Sequence, residues 1–306
     1  MSERDAEGQA ESIRHRLRNE LRARGEDVTL GLQRYTVERF LYRLGRSVHR
    51  ERFVLKGATL YAIWGTAYRP TRDLDFTGYG NPDPQDVIAA FREVCNTPDD
   101  VDQLVFETDT IVAEPIRDGS EYHGLRLKLR AHLGGSSIPL QVDVGFGNAI
   151  VPGPEETEYR TILGDPSPRV LAYPRESVVA EKLHAIVVLG ERNSRTKDFY
   201  DLYAIAGGFS FERSTLARAA RATFERRATP VTSELPAALT GSFYSDGIRA
   251  AQWQAYVRTN QLTDAPPDLV QVGDRITSFL QPIWQDLRSG GDTVGDWRSG
   301  GPWRPA

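Results

Sequence analysis

Asp73 and Asp75 stand two residues apart and alternate with Leu74 and Phe76. On a strand, that spacing sends both carboxylates out of the same face. Two like charges held this close either share a cation or lie at a solvated strand end, and Gly78 and Gly80 just beyond suit the second arrangement. A third acid, Asp143, sits mid-strand between Val142 and Val144. Aspartate is disfavoured inside strands, which points to an exposed edge position or to a site. Three carboxylates converging from neighbouring strands would hold two Mg²⁺ ions, the arrangement used for in-line phosphoryl or nucleotidyl transfer.

Phosphate chemistry also needs positive charge and free N–H groups. Lys56-Gly57-Ala58-Thr59 falls between a short apolar strand, Phe53-Val54-Leu55, and a helical run through Leu60, Ile63 and Trp64. Glycine there lets the backbone approach a phosphate, and the helix start offers N–H donors. Such turns also arise for steric reasons alone. No Gly-x4-Gly-Lys-Ser/Thr loop occurs, and no Gly-x-Gly-x-x-Gly follows a strand. Further on, Glu181-Lys182 lies in a helical stretch, and Asp198 and Asp201 are three apart on the next one, hence neighbours on one face. Lys182 would neutralise a triphosphate as a point charge with Asp198 orienting it; the alternative is a surface ion pair. Only four of the 38 basic residues are lysine, and Lys56, Lys182 and Lys197 fall inside these candidate segments. Arg126, Lys128 and Arg130 alternate along one strand face, where they would either track a nucleic-acid backbone or simply be solvated.

These residues must be carried by elements that the hydrophobic pattern predicts. Residues 1–27 are polar, with helical spacing at Ile13, Leu17 and Leu21, and predict a polar, solvated helix. Residues 28–175 carry the core: helical patterns over 32–45 and 84–95, strands at 53–55 and 73–76, and two alternating runs around Gly134-Gly135 that predict a hairpin. Pro/Gly punctuation over 151–175 predicts a connector with short strands. Residues 176–288 predict a helical lobe, and 289–306, rich in Gly and Ser, a disordered tail. The order is α+β: a mixed sheet flanked by helices, then helices. Among 306 residues, a net charge of −4 supplies no overall basic field, although a local Arg-lined groove still binds phosphate in an acidic protein. A lone cysteine, Cys95, excludes an internal disulfide framework and suits a reducing cytoplasm. No run of 18 apolar residues exists to span a membrane.

Four segments together resemble the AbiEii/AbiGii toxin family, nucleotidyltransferase-like toxins of bacterial toxin–antitoxin and abortive-infection systems. They are Phe53-Val54-Leu55-Lys56-Gly57-Ala58-Thr59, Arg69-Pro70-Thr71-Arg72-Asp73-Leu74-Asp75-Phe76, Glu181-Lys182-Leu183, and Arg195-Thr196-Lys197-Asp198-Phe199-Tyr200-Asp201-Leu202. The resemblance spans about residues 35–285. It implies a polymerase-β-like nucleotidyltransferase core with a C-terminal helical lobe. It also implies Asp73 and Asp75 as ligands of Mg²⁺ or Mn²⁺, with Asp143 a third by superfamily analogy. Lys56, Gly57, Ala58, Arg69 and Thr71 would then surround the nucleotide, Lys182 would meet its phosphates, and Asp198 would be the acid of the last motif. The implied substrates are a nucleoside triphosphate and the 3′ end of tRNA; the implied partner is a cognate antitoxin, AbiEi-like or kinase-like. Some relatives are silenced by phosphorylation two residues before the first metal aspartate, here Thr71. Ala58 departs from the second Gly or Ser of many members. Two further readings are open: transfer to a protein or small molecule, and a non-catalytic nucleotide-binding module.

Overall fold

A computed structural model describes residues 3–65, 73–99, 101–118 and 121–305. The described residues divide into two compact units, one drawn from 1–65, 70–147 and 155–172, the other from 148–154 and 173–306.

The first unit opens with α1 (Glu3–Ala23) and α2 (Val28–Arg46), followed by β1 (Phe53–Lys56), a short α3 (Thr59–Trp64), β2 (Asp73–Gly78) and α4 (Pro84–Cys95). Six strands follow: β3 (Val105–Phe106), β4 (Val112–Asp118), β5 (Glu121–Leu133), β6 (Ser136–Phe146), β7 (Glu155–Glu158) and β8 (Arg169–Ala172). The sheet runs β3-β5-β6-β2-β1-β8-β7, with β4 also paired to β5. It is mixed, because β2 runs parallel to β6 and β1 parallel to β8 while the other pairs are antiparallel.

Local chemistry explains the boundaries. Asp27 caps α2 by accepting from the Leu30 N–H, and Asp83 caps α4 just ahead of Pro84. Gly134-Gly135 turns β5 back into β6 with Leu133 opposite Ser136, the expected hairpin. Leu125, Leu127, Val142, Val144, Leu74 and Phe76 then line one sheet face and are buried. α2 and α4 close over it. Phe40 of α2 stacks on Phe91 of α4 with centroids 5.5 Å apart, and Phe53 meets Phe91 at 5.1 Å. Each such fully buried side chain contributes about 1.5–3 kcal/mol.

One sequence expectation is corrected here. The N-terminal segment forms the expected helix but is not solvated all round: Leu17 and Leu21 of α1 are fully buried, and Leu21 fills the gap over Gly31 of α2, where a Cβ would stand 2.2 Å from its Cδ1. Also, α2 buries charge as well as apolar surface. The Arg43 guanidinium grips Asp102 at 2.7 and 2.9 Å, and Arg39 donates to Asp102 at 3.1 Å and to Asp99 at 2.6 Å.

The second unit holds α5 (Arg175–Leu189), α6 (Thr196–Gly208), β9 (Phe211–Glu212), α7 (Arg213–Arg226), α8 (Gly241–Tyr244), α9 (Gly247–Thr259), α10 (Leu269–Ser289), β10 (Asp296–Trp297) and β11 (Trp303–Arg304). Arg213 at the start of α7 forks onto Asp286 of α10 at 2.7 and 2.9 Å. The tail from 289 onward, expected to be disordered, is folded: β10 pairs with β9 and β11. Trp297 is buried, donates to the Ala206 carbonyl at 2.8 Å and lies 4.9 Å from the Phe279 ring. Two indoles outweigh the glycine-rich composition around them. The architecture is the expected α+β one, a mixed sheet flanked by helices and a helical C-terminal part. No helix among the described residues is long and apolar enough to cross a membrane.

Candidate active site

Strand register builds the candidate cluster of the first unit. Lys56 of β1 is opposite Asp75 of β2, Asp75 is opposite Asp143 of β6, and Asp143 is opposite Arg126 of β5. Lys56, Asp75, Asp143 and Arg126 therefore form one row across four strands, on the face turned away from Phe76 and Val144. One row along, Asp73 is opposite Gln141, whose Nε2 donates to Asp73 Oδ1 at 2.9 Å. Asp73 is exposed and Asp75 half-buried.

Gly57 makes room for this row. Its φ is +74°, a backbone conformation L side chains rarely adopt. A Cβ there would stand 2.0 Å from Asp75 Oδ2, so the carboxylate occupies the space a side chain would need. Ala58 is buried behind the turn. α3 has only six residues, so its dipole is small and close backbone approach is what the loop offers.

Asp143 is engaged by Arg126, whose Nε and Nη2 donate to its two oxygens at 2.9 and 2.7 Å. That hydrogen bonding raises the guanidinium above its ordinary pKa, so it stays charged throughout the accessible pH range. Among the described residues, no group of three or more acids or other ligand side chains is arranged to hold a metal ion. Lys128 pairs with Glu114 at 2.8 Å, and Arg130 donates to Ser137 at 3.4 Å. Two of the three basic side chains on this strand face, Arg126 and Lys128, thus have their own counter-charges. A cavity of about 330 Å³ borders Asp73, Gln141, Lys128 and Arg130, at the small end of ligand-pocket sizes. Arg69 and Thr71 lie outside the described residues.

The second unit carries the other predicted residues. Lys182 on α5 donates to Asp198 at 2.9 Å and to Asp201 at 2.7 Å, both on α6. The two acids are nearly buried, with side-chain exposures of 9% and 1%, and the Lys182 ammonium is the ion-pair partner of both. Beside them, Tyr173 donates to Glu181 at 3.0 Å and Arg227 lies 3.7 Å from the same carboxylate. His184, one turn along α5, contacts Arg227 at 3.1 Å and Thr229 at 2.7 Å. Burial, with the Arg227 charge added, pushes His184 down to about 4. The neutral ring accepts from Arg227 at Nδ1 and donates from Nε2 to Thr229.

Spacing pointed to Asp73, Asp75, Lys182 and Asp198. It did not point to Gln141, His184 or the Arg126–Asp143 fork. The fork had a signal in the hairpin: with Leu133 opposite Ser136, seven steps along each strand reach Arg126 and Asp143. His184 has none, because its partners are 43 and 45 residues away.

Comparison with known proteins gives one family match. The model of the nucleotidyl transferase AbiEii toxin family, type IV toxin–antitoxin system, matches residues 39–275. No curated protein sequence matches the chain. Two crystal structures from Helicobacter pylori are similar. JHP933 is 14% identical over 87% of this chain and 95% of its own length, with a TM-score of 0.48. A candidate nucleotidyltransferase is 15% identical over 83% and 93%, with a TM-score of 0.46.

Proposed function

Because this chain belongs to the AbiEii nucleotidyltransferase toxin family of type IV toxin–antitoxin systems, we propose that it transfers a nucleotide from a nucleoside triphosphate to the 3′ end of tRNA, halting translation. The observation that carries the catalytic part of this reading is the packing of the Asp75 carboxylate into the space over Gly57, where no side chain fits.

The donor set fits a hard divalent cation. Asp73 and Asp75 present carboxylate oxygens from one strand face, the ligand type Mg²⁺ and Mn²⁺ prefer, and glycine at position 57 leaves room for the Asp75 carboxylate. When bound, such an ion supplies Lewis-acid polarisation of phosphoryl oxygens and offsets their charge. The rest falls to the chain itself. The Gly57 turn brings backbone close to the nucleotide, with Lys56 and Arg69 adding positive charge. Gln141 holds the Asp73 carboxylate from one side. Lys182, set by Asp198 and Asp201, offsets negative charge on the nucleotide's phosphates as the leaving group departs. A cognate antitoxin is the implied partner. Thr71 is the proposed point of silencing: a phosphate there would add about two negative charges two residues from Asp73. A substrate pair of tRNA and nucleoside triphosphate places this activity in the cytoplasm.

The test is incubation with each α-labelled nucleoside triphosphate, Mg²⁺, and either total cell RNA or total cell protein. Label should enter the tRNA fraction and be lost in Asp73→Ala, which should also cease to arrest growth. Label entering protein instead would replace the acceptor. A folded Asp73→Ala variant that still arrests growth would refute the catalytic reading.

A further inference from the structure

Asp143 is the carboxylate that strand position offers as a third metal ligand, yet both its oxygens already accept from a guanidinium. Arg126 meets them in a bidentate fork at 2.9 and 2.7 Å. The backbone imposes this pairing, since Arg126 and Asp143 are directly opposite across the hairpin and Asp143 is directly opposite Asp75 on its other side. The side chains are 40% and 19% exposed, so the pair is partly shielded from water that would otherwise weaken it. Arg126 is also within electrostatic reach of Asp73 and Glu114. A divalent ion drawn to this row would meet Asp143 oxygens already shared with a charge-assisted bidentate partner, and the guanidinium's own positive charge beside them.

We propose that Arg126 is the resident cation of Asp143, so that Asp73 and Asp75 hold the divalent ion without a third carboxylate. Asp143 is then a positioning residue. It fixes a guanidinium beside the metal pair, two of whose five N–H groups it uses, and the others remain for phosphate oxygens of a substrate. Arginine suits this task better than lysine, because its planar fork can bind one carboxylate and still present donors elsewhere. The inference rests on the nucleotidyl-transfer reading of the Asp73–Asp75 site.

Titration of the full chain with Mn²⁺, followed by the electron paramagnetic resonance signal of the free ion, tests it without turnover. Asp73→Asn and Asp75→Asn should each weaken binding at least tenfold, while Asp143→Asn should stay within about twofold of wild type. Arg126→Gln should tighten binding at least threefold by releasing Asp143, and the gain should vanish in the Asp143→Asn background. Arg126→Met repeats the measurement with a side chain that cannot hydrogen-bond to Asp143, and melting curves confirm that each variant folds. A tenfold loss in Asp143→Asn overturns the proposal, as does an Arg126→Gln variant that binds no tighter. A gain that persists without Asp143 would reflect plain charge removal and overturns it too. Binding unchanged in both Asp73→Asn and Asp75→Asn would instead bring down the underlying site assignment, a result separate from any outcome at position 143.

Discussion

At Gly57 two constraints meet: a φ of +74° and an Asp75 oxygen 2.0 Å from where a Cβ would be. Gly57→Ala should therefore act twice. The left-handed backbone costs about 1–2 kcal/mol for an L side chain, and the added methyl pushes Asp75 out of position. Nucleotidyl transfer should fall by more than tenfold while the fold survives with a lower melting temperature. Full activity in Gly57→Ala would mean that the Asp75 carboxylate is not held where transfer needs it. Lys182 poses the opposite problem. Its ammonium separates Asp198 from Asp201, so Lys182→Met leaves two nearly buried acids facing each other. Breaking such a pair costs about 3–5 kcal/mol, less where water reaches in, and Lys182 is 15% exposed. Urea denaturation should show a loss of about 2–4 kcal/mol, largely restored by adding Asp201→Asn. A variant as stable as wild type would refute the pairing. The sequence made Lys182 and Asp198 visible through residue type and spacing. What it left open was whether they form a buried cluster or a surface pair, because burial is a property of the surrounding helices.

Helix α2 shows where pattern reading stops at the scale of the element. Tyr35, Arg39 and Arg43 follow one another at intervals of four and lie on its buried face. Periodicity alone would put all three inside, but arginine is ordinarily placed in solvent. The partner that reconciles them, Asp102, is 59 residues from Arg43. Asp102→Asn removes the shared counter-charge of two buried guanidiniums and should destabilise the protein by about 3–5 kcal/mol in denaturant titration. A change below about 1 kcal/mol would mean that the cluster is solvated. Glu38, on the same helix, is fully buried and accepts from the Ile162 N–H at 2.9 Å. Burial pushes its carboxyl up to about 8 from an ordinary 4.5. Between those values the native state keeps a proton that the unfolded state has lost. The folded form binds more protons in that window, so stability must fall as pH rises from about 4.5 to about 8. Glu38→Gln should flatten that slope, gaining on the order of 2–4 kcal/mol relative to wild type between pH 5 and pH 8.5. Equal slopes in the two proteins would show that Glu38 is ionised in the fold.

For the whole molecule, the hydrophobic rhythm was enough to read an α+β chain with a hairpin at its centre and helices toward the C-terminus. It carried this far because Leu125 to Ala131 and Ile138 to Val144 alternate without interruption, and period-two burial leaves little else such runs can form. It failed at the two ends, for a common reason. Both α1 and the tail are polar on average, and an average conceals the few large side chains that do the packing: Leu17 and Leu21 in one case, Trp297 and Trp303 in the other. Disorder follows when a segment cannot bury enough apolar surface to offset its ordering entropy. Two indoles supply much of what the tail needs, provided a receiving surface exists. Here α6 offers the Ala206 carbonyl to Trp297, α10 offers the Phe279 ring to both indoles and the Phe279 carbonyl to Trp303, and the Trp297 and Trp303 rings lie 5.6 Å apart. The tail should therefore stabilise the helical unit rather than trail from it. Trp297→Ala removes a fully buried indole and leaves the Ala206 carbonyl without that donor, so a loss of about 3–5 kcal/mol is expected. Deleting the chain beyond residue 289 should cost at least as much, because it also strips one face of Phe279. Protease cleavage near residue 290 in the native protein, without loss of stability in the trimmed product, would show instead that the composition was the better guide.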